Sequence, residues 1–136
     1  MPVGITTGSL DKAADECVNR GVAVLDALGT HDVGQGIVLQ DGRVIAIEGA
    51  EGTDEMLRRI AALIDPAAPP AIFVKRRKSG QDTRLDIPVV GEETLRLAAA
   101  SGVRVLALEA GGVILASAPE TLWELASDLD LTVVGV

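Results

Sequence analysis

The sequence predicts an α/β fold: a single domain with a mixed β-sheet, two β-hairpins and about four helices. Three observations carry that reading. Stretches with helical apolar spacing alternate with short runs of Val, Ile and Leu. An Asp41-Gly42 pair sits between two apolar runs, the strongest short-range hairpin signal, and such antiparallel pairing within an alternating chain makes the sheet mixed. A chain of 136 residues, 48% hydrophobic, supports one core that buries roughly two-thirds of its unfolded surface.

Taken in order, residues 1–9 hold two glycines and a proline and read as a connector, so residues 1–19 comprise the connector and the start of the first helix. Residues 20–136 form the α/β domain. Leu10, Ala14, Cys17, Gly21, Leu25 and Leu28 recur at helical spacing up to Gly29. After a loop, the strands Gly36 to Gln40 and Arg43 to Glu48 flank the Asp41-Gly42 turn. Thr53 is a candidate cap for a helix reaching about Ile64, with Met56, Leu57, Ile60 and Leu63 on its inner face. The Pro- and Ala-rich stretch 66–70 then breaks the chain before a strand from Ala71 to Val74.

Gly91 to Gly102 reads as a helix with Glu92 and Glu93 in its first turn, where the helix dipole favours acids. Val103 to Leu108 is a strand, Gly111-Gly112 a turn, and Val113 to Ala116 a second short strand, giving the second hairpin. Ser117 and Glu120 have capping-box spacing before Leu122, Leu125, Ala126 and Leu129. Leu131 to Val134 supplies the last strand. No internal repeat is present.

Composition narrows the function. The only aromatics are Phe73 and Trp123, too few for the stacking platforms of single-stranded nucleic-acid binders. The net charge of -8 opposes long-range attraction to nucleic acid or to an anionic membrane. A lone Cys17 on an apolar stripe fits a reduced, cytoplasmic protein. No apolar run reaches the roughly 20 residues of a membrane span. His31 has no acidic or serine partner at a catalytic spacing, and Trp123 reads as packing. Walker A, GxGxxG, nucleophile-elbow and zinc-type patterns are all missing.

The positive charge is concentrated. Lys75, Arg76, Arg77, Lys78 and Arg84 are five of the twelve basic residues and fall within ten positions, just after a buried strand. Charges on such a rigid base can converge on a phosphate. In an extended segment Asp82, Arg84 and Asp86 share one face, and two carboxylates beside an arginine could hold a divalent cation next to that phosphate. A solvated charged loop has the same composition, and spacing alone favours it. A second candidate is the turn Glu48 to Asp54, where Glu48, Glu51 and Asp54 could bind metal and free amides an anion; acids in a first turn also simply stabilise a helix. The Glu109-Ala110-Gly111-Gly112 turn could admit a ligand closely, although a plain tight turn is favoured.

The ordered motifs add a family. Asp32-Val-Gly-Gln-Gly, then Gly42-Arg-Val-Ile-Ala-Ile-Glu-Gly-Ala-Glu-Gly-Thr-Asp54, resembles the first signature of the LpxI-type UDP-2,3-diacylglucosamine pyrophosphatases. Phe73-Val-Lys75, Lys78, Gln81-Asp82-x-Arg84-x-Asp86-Ile-Pro88 and Val90-Gly91 resemble the second. Leu108-Glu-Ala-Gly111 and Val133-Val-Gly-Val136 resemble the third and fourth. The family usually carries Lys-Pro where this chain has Lys78-Ser79.

The resemblance implies magnesium-dependent hydrolysis of the pyrophosphate of a UDP-linked acylated sugar, giving UMP and 2,3-diacylglucosamine 1-phosphate for lipid A synthesis. It implies that Asp86 and Asp82 are catalytic and hold the Mg2+ and the attacking water, with Glu48, Glu51 and Asp54 as further metal candidates. Lys75, Lys78, Gln81, Arg84, Thr53 and Gly111 would contact substrate. It also implies an N-terminal α/β domain ahead of this region, so that this part alone is expected to be incomplete as an enzyme. Peripheral contact with the inner membrane and a homodimer are compatible with it. A non-catalytic nucleotide-binding or assembly module is the alternative from a different class, and a purely structural domain is a third.

Overall fold

The computed structural model describes residues 1–78 and 87–136. Its elements are β1 (Gly4–Thr7), α1 (Lys12–Gly29), β2 (Gly36–Gln40), β3 (Arg43–Ile47), α2 (Thr53–Ile60), β4 (Ala71–Lys75), β5 (Val89–Val90), α3 (Glu92–Ala100), β6 (Val103–Leu108), β7 (Ile114–Leu115), α4 (Pro119–Asp128) and β8 (Thr132–Gly135). The main sheet has the order β1-β8-β6-β4-β2-β3. The β8, β6 and β4 strands run parallel, while β1, β2 and β3 join by antiparallel pairing. The sheet is therefore mixed, as expected.

Strand alternation sorts the core into two faces. Val38, Phe73, Leu106, Leu108 and Val133 point to the side covered by α2, α3 and α4. Ile37, Leu39, Ile72, Val74, Ala107 and Val134 point to the side covered by α1. The helix α1 lies close because of Gly21: a Cβ there would come within 2.7 Å of Val74 Cγ2 and 2.8 Å of Leu39 Cδ1. Its start is capped by Asp11, whose carboxylate accepts from the Ala14 amide at 2.7 Å.

Several local expectations change. Residues 4–7 are not connector but an edge strand on β8, with Ile5 opposite Val134. The β-branched Ile5-Thr6-Thr7 run suits a strand, and the outer edge of β8 receives it. The second helix stops at Ile60, leaving Leu63 54% exposed while Ile64 packs on the core. Beyond it, the buried Gln40 amide binds both the N–H and the C=O of Asp65, just before Pro66, and ties that stretch to β2. Gly52, not Thr53, is the cap residue of α2.

The second hairpin does not form. Both edges of β6 are occupied by β4 and β8, so the short strand after Gly112 pairs in parallel with β5 instead. The Ser117 capping box also gives way: Ala118 is the cap position of α4 and Pro119 opens the helix, where its fixed φ is favourable.

Candidate functional site

One rim of the sheet gathers the motifs. The carboxyl ends of β3, β4, β6 and β8 and the start of β2 meet there, because β2 runs against β3 and β4. In open α/β sheets this is the edge where ligands bind. The ladder continues one residue past the strands: Glu48 N donates to Gly36 O at 2.8 Å, Arg76 N to Gln35 O at 2.9 Å and Glu109 N to Lys75 O at 3.0 Å. Side chains placed on this rim therefore start from fixed backbone.

A cleft of about 480 Å3 opens at this edge, lined by Asp32, Gly34, Gln35, Glu48, Gly52 and Lys78 among others. The first and second sequence motifs thus converge on one place. Lys78 Nζ lies 3.1 Å from Asp32 Oδ1. Lys75, at the end of β4, is only 3% exposed and faces the same side of the sheet as Phe73. Its ammonium donates to the Thr53 hydroxyl, which in turn donates to Glu48 Oε2 at 2.8 Å. The same carboxylate oxygen is 3.7 Å from Lys75 Nζ. Glu48 is itself 9% exposed, so both charges of the pair are largely buried.

Glu109 secures the start of the basic segment from the other side. Its carboxylate accepts from the Arg77 amide at 2.7 Å and lies 3.6 Å from the Arg76 guanidinium, which also reaches Asp26 on α1 at 3.2 Å. Gly112 is placed against this carboxylate, with room for no Cβ. Gly111 has a φ of +73 and no atom within 4 Å of a built Cβ, so its glycine serves the turn.

In the acidic turn, Glu48 and Glu51 are each paired with a basic residue. Glu51 is held by Arg59 through contacts of 3.0 and 2.8 Å, and its own backbone N–H and the Arg59 guanidinium pull its carboxyl below the usual glutamate range. Glu48 is matched to Lys75. Among the described residues no three His, Cys, Asp or Glu side chains are gathered to hold a metal ion. The expected roles of Gln81, Asp82, Arg84 and Asp86 fall on residues outside the described ones.

Asp32 and Gln35 stood in the first motif and Glu109 in the candidate glycine turn, but the sequence assigned none of the three a role of its own. The available signal was the Gly34-Gln35-Gly36 spacing, since both glycines make room for Glu48. A second cavity, of about 590 Å3, opens at the opposite end of the sheet beside Ser9, Asp11, Cys17, Arg104 and Asp130. None of the residues expected to act lies there.

The fold and the rim define a class: a mixed α/β domain whose strand ends carry a cleft with charge-matched walls. Residues 2–134 match the LpxI C-terminal domain, and the chain belongs to that family. It is 36% identical over 124 residues to the UDP-2,3-diacylglucosamine pyrophosphatase LpxI of Caulobacter vibrioides, a match that covers 88% of this chain and 44% of that protein. The chain thus spans less than half the length of that relative.

Proposed function

We propose that this chain is the part of a UDP-2,3-diacylglucosamine pyrophosphatase that binds the phosphoanhydride and directs water to it. The observation that carries this reading is the convergence of the Asp32 to Asp54 and Lys75 to Lys78 motifs on one cleft. The name of the relative supplies the substrate class. Cleaving a phosphoanhydride requires compensation of the charge that builds on the phosphoryl oxygens, together with an activated water.

Lys78 and Arg84, with Gln81, are the proposed phosphate contacts. Lys78 can exchange Asp32 for a phosphate oxygen because it lines the cleft. The uncapped first turn of α2, at Gly52, adds backbone N–H groups at the same wall. Water forms the new P–O bond as the bridging P–O bond breaks, giving UMP and 2,3-diacylglucosamine 1-phosphate. Asp86, with Asp82, is proposed to orient that water and accept its proton.

Magnesium, when bound, would supply charge neutralisation at the phosphates. Its proposed ligands are Asp82 and Asp86, since one or two carboxylates with substrate phosphates suffice for magnesium. No helix among the described residues is long and apolar enough to cross a membrane. For the acyl chains of the substrate we propose peripheral contact at the cytoplasmic face of the inner membrane.

The test is UMP release from UDP-diacylglucosamine by the full-length protein, with and without magnesium. Activity should need the metal, and Asp86→Ala should lower kcat by roughly a hundredfold or more, the scale of a lost acid–base group. Failure of the full-length protein to make UMP, or an Asp86→Ala variant as active as its parent, would overturn the reading. Binding of UDP without turnover would favour a nucleotide-binding module instead.

A further inference from the structure

Two carboxylates line the cleft: Asp32, whose side chain is 68% exposed and screened by water, and Glu48, which is 9% exposed and would meet an incoming phosphoanhydride with little screening. Each has a lysine, but the two lysines are placed differently. Lys78 lies in the cleft wall beside Asp32. Lys75 is 3% exposed, and the described lining of the cleft includes Glu48 but not Lys75. The ammonium sits behind the wall, bonded to the Thr53 hydroxyl, and that hydroxyl bonds the Glu48 carboxylate.

We propose that Lys75 is a positioning residue that makes no contact with substrate: through Thr53 it orients and neutralises Glu48, so that the wall accepts an anion. The proposal rests on the phosphoanhydride reading of the cleft. It departs from the substrate contact that the family resemblance implies for Lys75, and from a metal-binding role for Glu48.

The surroundings fix Glu48 closely. A Cβ on Gly36 would fall 2.8 Å from Glu48 Oε2 and 2.9 Å from Phe73 Cε2. One on Gly34, which has a φ of +56, would fall 2.2 Å from the Glu48 carbonyl oxygen. The Gly-Gln-Gly motif is thus shaped around this one glutamate. A carboxylate held so tightly, facing an anion site, repels the ligand unless a cation lies beside it, because the interaction of buried charges is weakly screened. Among the described residues, Lys75 is a cation placed there, 3.7 Å from Glu48 Oε2.

A double-mutant cycle separates the possibilities. Lys75→Met keeps the stem and removes the charge; Glu48→Gln keeps the shape and removes the repelling charge. With full-length protein and UDP-diacylglucosamine, Lys75→Met should raise KM by roughly tenfold or more, the scale of one uncompensated buried charge, with kcat changed far less. The double variant should return KM to within about threefold of Glu48→Gln alone. Thr53→Val, which breaks the link and keeps both charges, should also raise KM, and Glu48→Gln should relieve it. This variant stands in if Lys75→Met does not fold, as judged by thermal melting.

A double variant as impaired as Lys75→Met means that Lys75 touches the substrate, and the proposal fails. It also fails if Glu48→Gln abolishes turnover and excess magnesium restores it, since Glu48 is then a metal ligand. If the unaltered protein makes no UMP, the pyrophosphatase reading fails instead. The same cycle is then read from UDP binding by calorimetry, where recovery of Kd in the double variant supports the positioning role and its absence overturns it.

Discussion

Glu48 and Glu51 lie three positions apart in one acidic turn, and the surrounding chain gives them separate tasks. Glu48 is buried against Lys75 and Thr53, whereas Glu51 is exposed and joined to Arg59, which also donates to the Ile47 carbonyl at 3.0 Å. The Glu51 carboxyl is held low by its own backbone N–H and by Arg59. A carboxyl with a depressed folded pKa stabilises the fold above its unfolded pKa and ceases to do so as pH falls through the folded value. Glu51→Gln should therefore cost a little stability at neutral pH and none in acid below the glutamate range. Melting temperatures at the two pH values check this, and an equal cost at both would refute it. From sequence the two glutamates were equivalent metal candidates. What distinguishes them is contact with Arg59, eight positions away from Glu51, and with Lys75, farther still, and a linear spacing carries neither contact.

The elements were largely legible where local chemistry decides them. The Asp41-Gly42 turn has φ of 52 and 74 at its two residues, both in the left-handed region, so the hairpin follows from two adjacent residues. The first helix follows from its apolar spacing and ends at Gly29 as expected. Elements whose form depends on distant partners were not legible. The Ile5 strand exists because β8 offers an edge, and the short strand at Ile114 leaves β6 because β6 has none. Gly21 is the element-scale feature most open to test, since a Cβ there would meet Val74 and Leu39 at 2.7 and 2.8 Å. Gly21→Ala gains helix propensity but overpacks that contact, and should destabilise by about 1–3 kcal/mol. A denaturant midpoint at or above that of the parent would show that α1 can lift without cost.

For the whole molecule, the antiparallel insertion of β2 between β3 and β4 brings the Gly34-Gln35-Gly36 motif, the Glu48 turn and the Lys75 segment to one rim. These stretches are separated by up to about 40 positions, and only sheet order unites them. The motif order pointed to the family, and the family match over residues 2–134 bears that out. The charge pattern pointed to the segment after β4, of which the described part, through Lys78, does enter the cleft. Burial decided what charge counting could not: Lys75 lies inside the wall and Lys78 on it.

The proposed function places the nucleotide diphosphate in this cleft rather than in the cavity at the opposite end of the sheet. Titration of the 15N-labelled protein with UDP, followed through the backbone amides, tests it most directly. Saturable shifts should appear at Gly34, Gln35, Gly49, Gly52 and Lys78, with Ser9, Asp130 and Thr132 unmoved. Shifts centred on Ser9, Asp130 and Thr132, or none at the rim under saturating UDP, would show that the nucleotide does not bind in this cleft.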